Sequence, residues 1–172
     1  MHPFYAADRP LVFAHRGGAA LAPENTMPAF DSAVALGADG LELDVRLSRD
    51  GVVVVHHDAA LDRTTTLTGP VVDKTSEDLC AAGVPSLADV LARHTGVRVI
   101  VELKQNTDEL AQAAVDTIER AGAAGRVCIG SFGWRALRPS GSPAPHATAK
   151  SRASIEEVPS LDPSSMTRIC SG

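Results

Sequence analysis

Between residues 11 and 130 short apolar runs alternate with helical patterns, and that order restricts the fold more than any other feature of the chain. Residues 11–14 (LVFA) form an apolar run bounded by Pro10 and the Gly17-Gly18 pair, the mark of a buried strand. Residues 25–36 open on a capping residue, Asn25, and stop at Gly37, so they read as a helix; Pro28 falls in the first turn, where proline is tolerated. Residues 40–47 (GLELDVRL) read as a strand, 48–51 as a hairpin turn, and 52–56 (VVVVH) as a β-branched strand. Residues 61–79 make a polar, Thr-rich excursion. A helix over 86–95 starts on Ser86 as N-cap, a strand covers 97–103, an amphipathic helix covers 108–121 and ends at Gly122, and a last strand covers 126–130. Strand, helix, strand in this order is the grammar of a parallel sheet with right-handed crossovers. It leaves both an open sheet and a barrel in play. The absence of a GxGxxG or Walker A motif weakens a nucleotide-binding sheet.

Composition matters mainly for what it excludes. The 172 residues give room for one domain, and 44% hydrophobic with 22% charged residues is globular. No apolar stretch is long enough to span a membrane, and residues 1–10 lack the pattern of a secretory signal. Three widely spaced cysteines, an odd number, exclude a disulfide framework or a cysteine zinc site and suit a reducing cytoplasm. The net charge of -5 argues against a nucleic-acid surface, while local charge still allows a small anionic substrate. Residues 135–172 differ from the rest. They hold five basic residues against three acidic ones, five of the 11 prolines and none of the aromatic residues, with no sustained period. Such a segment buries too little apolar surface to offset its ordering entropy, so a tail of low order is expected there, or a reading frame lost after Trp134.

The chemistry-bearing residues gather at strand ends. His15 and Arg16 follow the first strand directly, and Glu24 and Asn25 stand just before the first helix. Glu42 and Asp44 are spaced i, i+2, so both carboxylates share one face of a strand while Leu41, Leu43 and Val45 take the other. Adjacent buried carboxylates repel and lose hydration unless a cation sits between them, and oxygen ligands favour a hard ion such as Mg²⁺ or Ca²⁺. Glu102 and Lys104 repeat the spacing at the end of a later strand, and His56, His57 and Asp58 end the strand between. Taken singly, each has a plainer reading: Glu42 and Asp44 as the solvent face of an edge strand, Glu102 and Lys104 as a same-face ion pair of little worth, a strand-end histidine as hydrogen-bonded structure. His56 and His94 are read as structural. Convergence at the carboxyl ends of successive strands is what favours a site, since parallel α/β folds build sites there.

Four segments, AHRGGAALAPENTMPAF, GLELDVRLSRDGVVVVHHDAALDRTT, VPSLADVL and VIVELK, closely resemble the glycerophosphodiester phosphodiesterase family, in order and spacing, over about residues 9–134. The resemblance implies a TIM (β/α)₈ barrel of the phospholipase C-like kind. It implies hydrolysis of glycerophosphodiesters to glycerol 3-phosphate and an alcohol with a divalent metal, Mg²⁺ or Ca²⁺. It also implies His15 and His57 as the acid/base pair, Glu42, Asp44 and Glu102 as metal ligands, and Arg16 on the phosphate. Glu24 becomes a further site carboxylate, and Lys104 a second phosphate or glycerol contact. The nucleophile it implies is the substrate's own glycerol hydroxyl, through a cyclic phosphate.

A barrel of this kind typically takes about 250 residues and eight strands. At most five wall strands are readable here, and the resemblance stops after Trp134. The expected architecture is therefore α/β, a partial TIM barrel covering roughly its first half over 9–134, followed by the low-order tail. Two readings of function follow: the metal-dependent phosphodiesterase, or a truncated member that keeps a partial metal and phosphate site without turnover. An unrelated metal hydrolase is a weaker third. The partner expected is a small glycerophosphodiester, with no nucleic acid, and with self-association through exposed sheet edges. Made alone, the chain is expected to be poorly stable, oligomeric or inactive; a monomer on a sizing column with one cooperative melt contradicts this.

Overall fold

The computed structural model describes residue 4 and residues 7–18, 22–132 and 166–169. Its elements in order are β1 (Leu11–His15), α1 (Met27–Ala35), β2 (Gly40–Leu47), β3 (Val53–Val55), α2 (Ser76–Ala81), α3 (Leu87–Arg93), β4 (Arg98–Leu103), α4 (Asp108–Arg120), β5 (Val127–Gly130) and β6 (Met166–Ile169). The sheet runs β5-β4-β2-β1-β6, with β1, β2, β4 and β5 parallel. This is the α/β parallel arrangement expected for the first part of a barrel.

Alternation along the strands explains both faces. Leu41, Leu43, Val45, Val99, Val101 and Leu103 point one way and pack with Phe30, Ala33, Val90, Leu91, Leu110 and Ala114 of the helices. The other face carries His15, Glu42, Asp44 and Glu102. Register completes the arrangement: His15 pairs across from Glu42, and Asp44 from Glu102. Below them on that face lies Phe13, stacked on Phe4 at 5.8 Å and paired with Gly40. A Cβ built at Gly40 falls 2.4 Å from the Phe13 ring and 2.8 Å from the Arg98 carbonyl oxygen. Gly40 is thus required by a close approach.

Several expectations change. β3 is not a fifth wall strand. It pairs antiparallel with Val45, Arg46 and Leu47 and lies off the main path, because the hairpin turn folds it back along the upper end of β2. Helix α1 is capped by Thr26, whose side chain accepts from the Ala29 N–H, and not by Asn25. The excursion over 61–79 carries a helix, α2, opened by a capping box between Thr75 and Asp78. Its Leu61, Val71 and Leu79 form a small second core with Val54 of β3 and Val84. Its apolar residues fall at irregular intervals, which no periodic pattern reveals. The low-order tail lies outside the described residues except for β6, which pairs antiparallel with β1 from Leu11 to Ala14. Its four residues cover an edge that a parallel half-sheet leaves open.

The close approach at Gly40 yields a test of packing. Gly40→Ala forces a methyl into the space of a buried ring, and the expected loss is about 2 kcal/mol, read from the denaturant midpoint at unchanged slope.

Candidate functional site

The loop after β1 is bent by unusual backbone. Arg16 (φ 51) and Asn25 (φ 57) are both left-handed, a conformation that non-glycine residues rarely adopt. They hold each other, with the Asn25 N–H donating to the Arg16 carbonyl at 3.0 Å, and the Arg16 N–H donating to the Glu42 carbonyl at 2.8 Å. Gly17 (φ 79) follows because a Cβ there meets Ala29 at 2.8 Å. Residues held this way cluster where function needs a fixed side chain.

That bend brings Arg16 and Asn25 onto β2. Asp44 is fully buried. Its Oδ2 accepts from Asn25 Nδ2 at 2.8 Å and lies 3.1 Å from Arg16 Nε; its Oδ1 lies 3.0 Å from Lys104 Nζ. Lys104 Nζ also reaches Glu102 at 2.7 Å. Glu42, Asp44 and Glu102 each offer an oxygen within 4.8 Å of the others. His15 Nε2 stands 3.8 Å from Glu42 Oε2. The structure therefore joins His15, Arg16, Glu24, Glu42, Asp44, Glu102 and Lys104 in one cluster. His57 reaches it indirectly. Its Nδ1 is 2.6 Å from Asp58 Oδ1, and Arg63 links Asp58 Oδ2 (2.6 Å) to Glu24 Oε1 (2.5 Å). Glu24 in turn accepts from Arg16 at 3.2 Å.

Charge decides what the cluster can hold. Glu24, Glu42, Asp44, Glu102 and Asp58 face Arg16, Lys104 and Arg63, a surplus of two negative charges. Unit charges about 5 Å apart repel by roughly 3 kcal/mol at an effective dielectric near 20. The consequence is visible at Glu42, whose pKa burial and then the Asp44 charge push up to about 7. Burial, and next to it Arg16, lowers His15. For Lys104 burial works downward, but hydrogen bonds to Glu102 and Asp44 outweigh it and raise the ammonium. Asp44 Oδ1 is buried, and the group against it is the Lys104 ammonium. An all-oxygen donor set and, with every carboxylate ionised, a two-charge surplus fit a hard divalent cation.

Sequence reading gave no site role to Arg63 or Arg46, and made Asn25 a helix cap. Arg63 sits in an irregular loop, 39 residues from Glu24, and no spacing rule connects them. Asn25 looks like a helix cap, and its left-handed backbone is invisible in one dimension. Arg46 donates twice to the His57 carbonyl, at 2.9 and 2.8 Å. His56 is buried with Nε2 3.1 Å from the Ala60 carbonyl oxygen, and His94 packs edge-on to Phe30 at 6.3 Å.

Comparison with known proteins places this geometry. A model of the glycerophosphoryl diester phosphodiesterase family matches residues 15–148. A glycerophosphodiester phosphodiesterase of Caldanaerobacter subterraneus subsp. tengcongensis is 36% identical over 154 residues, covering 79% of this chain and 63% of that protein. Among solved structures, the glycerophosphoryl diester phosphodiesterase domain of an uncharacterized Mycobacterium tuberculosis protein superposes with a TM-score of 0.69 at 30% identity, over 75% of this chain and 55% of that one. An Oleispira antarctica phosphodiesterase in complex with the product sn-glycerol-3-phosphate gives 0.64 at 27% identity, over 73% and 58%. The chain spans about 63% of the length of the curated relatives it matches first.

The raised Glu42 pKa sets a pH window for the metal-free protein. The folded chain keeps this proton up to about 7, while the unfolded chain loses it near 4.5. Stability from this group is full below 4.5 and is lost as pH rises through about 7. The expected decline is at most about 3 kcal/mol, and Glu42→Gln flattens it in denaturant titrations run across that window.

Proposed function

This chain belongs to the glycerophosphoryl diester phosphodiesterase family, and from that premise we propose that it hydrolyses a glycerophosphodiester to glycerol 3-phosphate and an alcohol with a divalent metal. The observation that carries the reading is the cluster where the carboxyl ends of β1 and β4 meet the middle of β2. There three carboxylates within 4.8 Å adjoin one histidine and one arginine. The product bound in the Oleispira structure supports the substrate class.

Phosphodiesters resist attack because their oxygens are negative. A divalent ion, Mg²⁺ or Ca²⁺, held by Glu42, Asp44 and Glu102 would neutralise that charge as it builds. Arg16 supports the same end with a planar fork suited to phosphate, its position held by Glu24 and Asp44. Lys104 adds a second cation at 3.0 Å from Asp44. Of His15 and His57, one takes a proton from the nucleophile and the other returns one to the leaving alkoxide. With Nδ1 engaged by Asp58, His57 has Nε2 for that exchange. Among the described residues no helix is long and apolar enough to cross a membrane. The odd cysteine count supports a cytoplasmic setting.

A second reading, metal and phosphate binding without turnover, is favoured by one observation. Among the described strands the sheet path is open rather than closed. The experiment separates the two. Glycerol 3-phosphate release from glycerophosphocholine is expected, lost on EDTA treatment and reduced about 10²–10⁴-fold by His15→Ala. Calorimetric binding of Mg²⁺ or Ca²⁺ without any release selects the second reading.

A further inference from the structure

Arg63 bridges two loops that belong to different strands. Its Nε donates to Asp58 Oδ2 at 2.6 Å, in the loop after β3, and its Nη2 donates to Glu24 Oε1 at 2.5 Å, in the loop after β1. Asp58 uses its other oxygen on His57 Nδ1 at 2.6 Å. The hydrogen bond from Arg63, and next that from His57, keeps the Asp58 carboxyl well below the usual carboxylate range. An ionised carboxylate only accepts, so Nδ1 carries the ring proton and Nε2 is left as the reactive nitrogen.

The main chain of His57 has its own anchor, the paired donors of Arg46. Among the described residues the ring's hydrogen-bond partner is Asp58, whose side chain is 31% exposed and is held from the far side by Arg63. Resting on the reaction proposed above, we infer that Arg63 is a positioning residue: through Asp58 it fixes the tautomer and orientation of His57 and ties that ring to the loop carrying Arg16. The guanidinium is 50% exposed, so the rival role is direct contact with the substrate phosphate. The two differ in what they change. A positioning residue alters the proton-transfer step, whereas a phosphate contact alters binding.

The test uses the full 172-residue chain. Side-chain ¹⁵N spectra of the metal-free protein, with the His57 signals assigned through His57→Gln, are expected to show one tautomer protonated at Nδ1. Arg63→Gln is expected to give a mixture of both tautomers. Arg63→Lys, which keeps the charge but not the two-armed geometry, is expected to fall between them. Should Arg63→Gln not fold, the lysine variant decides. In turnover of glycerophosphocholine, kcat is expected to fall about tenfold in Arg63→Gln, with partial recovery in Arg63→Lys. KM is expected to stay within about twofold. A pure Nδ1–H tautomer in both variants overturns the inference, as does a raised KM at constant kcat. If the unmodified chain releases no glycerol 3-phosphate, the reaction reading fails and the spectra alone judge Arg63.

Discussion

Asp44 and Glu102 stand opposite each other on neighbouring parallel strands, and Glu42 lies two residues below on the same face. Like charges at this separation repel by more than a surface ion pair returns. Much of what surrounds them answers that repulsion. Arg16 and Lys104 approach Asp44 from opposite oxygens, Asn25 donates to it, and Glu42 holds its proton far above the ordinary carboxylate range. With that proton in place one negative charge remains in surplus, and with it lost two remain, a balance that fits a divalent cation. A protein selecting for stability alone has no reason to assemble these groups on one buried face.

The backbone bears part of the burden. Arg16 and Asn25 occupy left-handed conformations and stabilise each other by a main-chain hydrogen bond, which aims both side chains at Asp44. Phe13 and Phe4 fill the space beneath, where Gly40 has no side chain. The apolar face of the same strands packs on α1, α3 and α4 and sets the strand register, and register is what places His15 across from Glu42. Packing on one face and chemistry on the other are thus two results of one alternation.

Much of this was legible in the order of residues. The i, i+2 spacing of Glu42 with Asp44 and of Glu102 with Lys104 put each pair on one strand face, and the apolar residues between them identified the strands. Ser86 as the cap of α3 and Gly122 after α4 marked helix ends correctly. Asn25 misled because capping residues and left-handed loop residues are drawn from the same small polar set. β3 misled because a β-branched run reads alike in a wall strand and in a hairpin return. Arg63 was passed over because a loop arginine carries no periodic signal, and its two partners come from Glu24 and Asp58, one distant in the chain and one near.

The one-dimensional pattern determined which side chains lie on the polar face of each strand, since alternation is a local property of extended backbone. It also determined the strand and helix order that brings those strands side by side. Only the tertiary structure decided the rungs that set Asp44 opposite Glu102, the bend that swings Arg16 and Asn25 over β2, and the Glu24–Arg63–Asp58–His57 chain. Those depend on register, on left-handed backbone and on contacts between loops far apart in sequence, and none of these is a function of neighbouring residues alone.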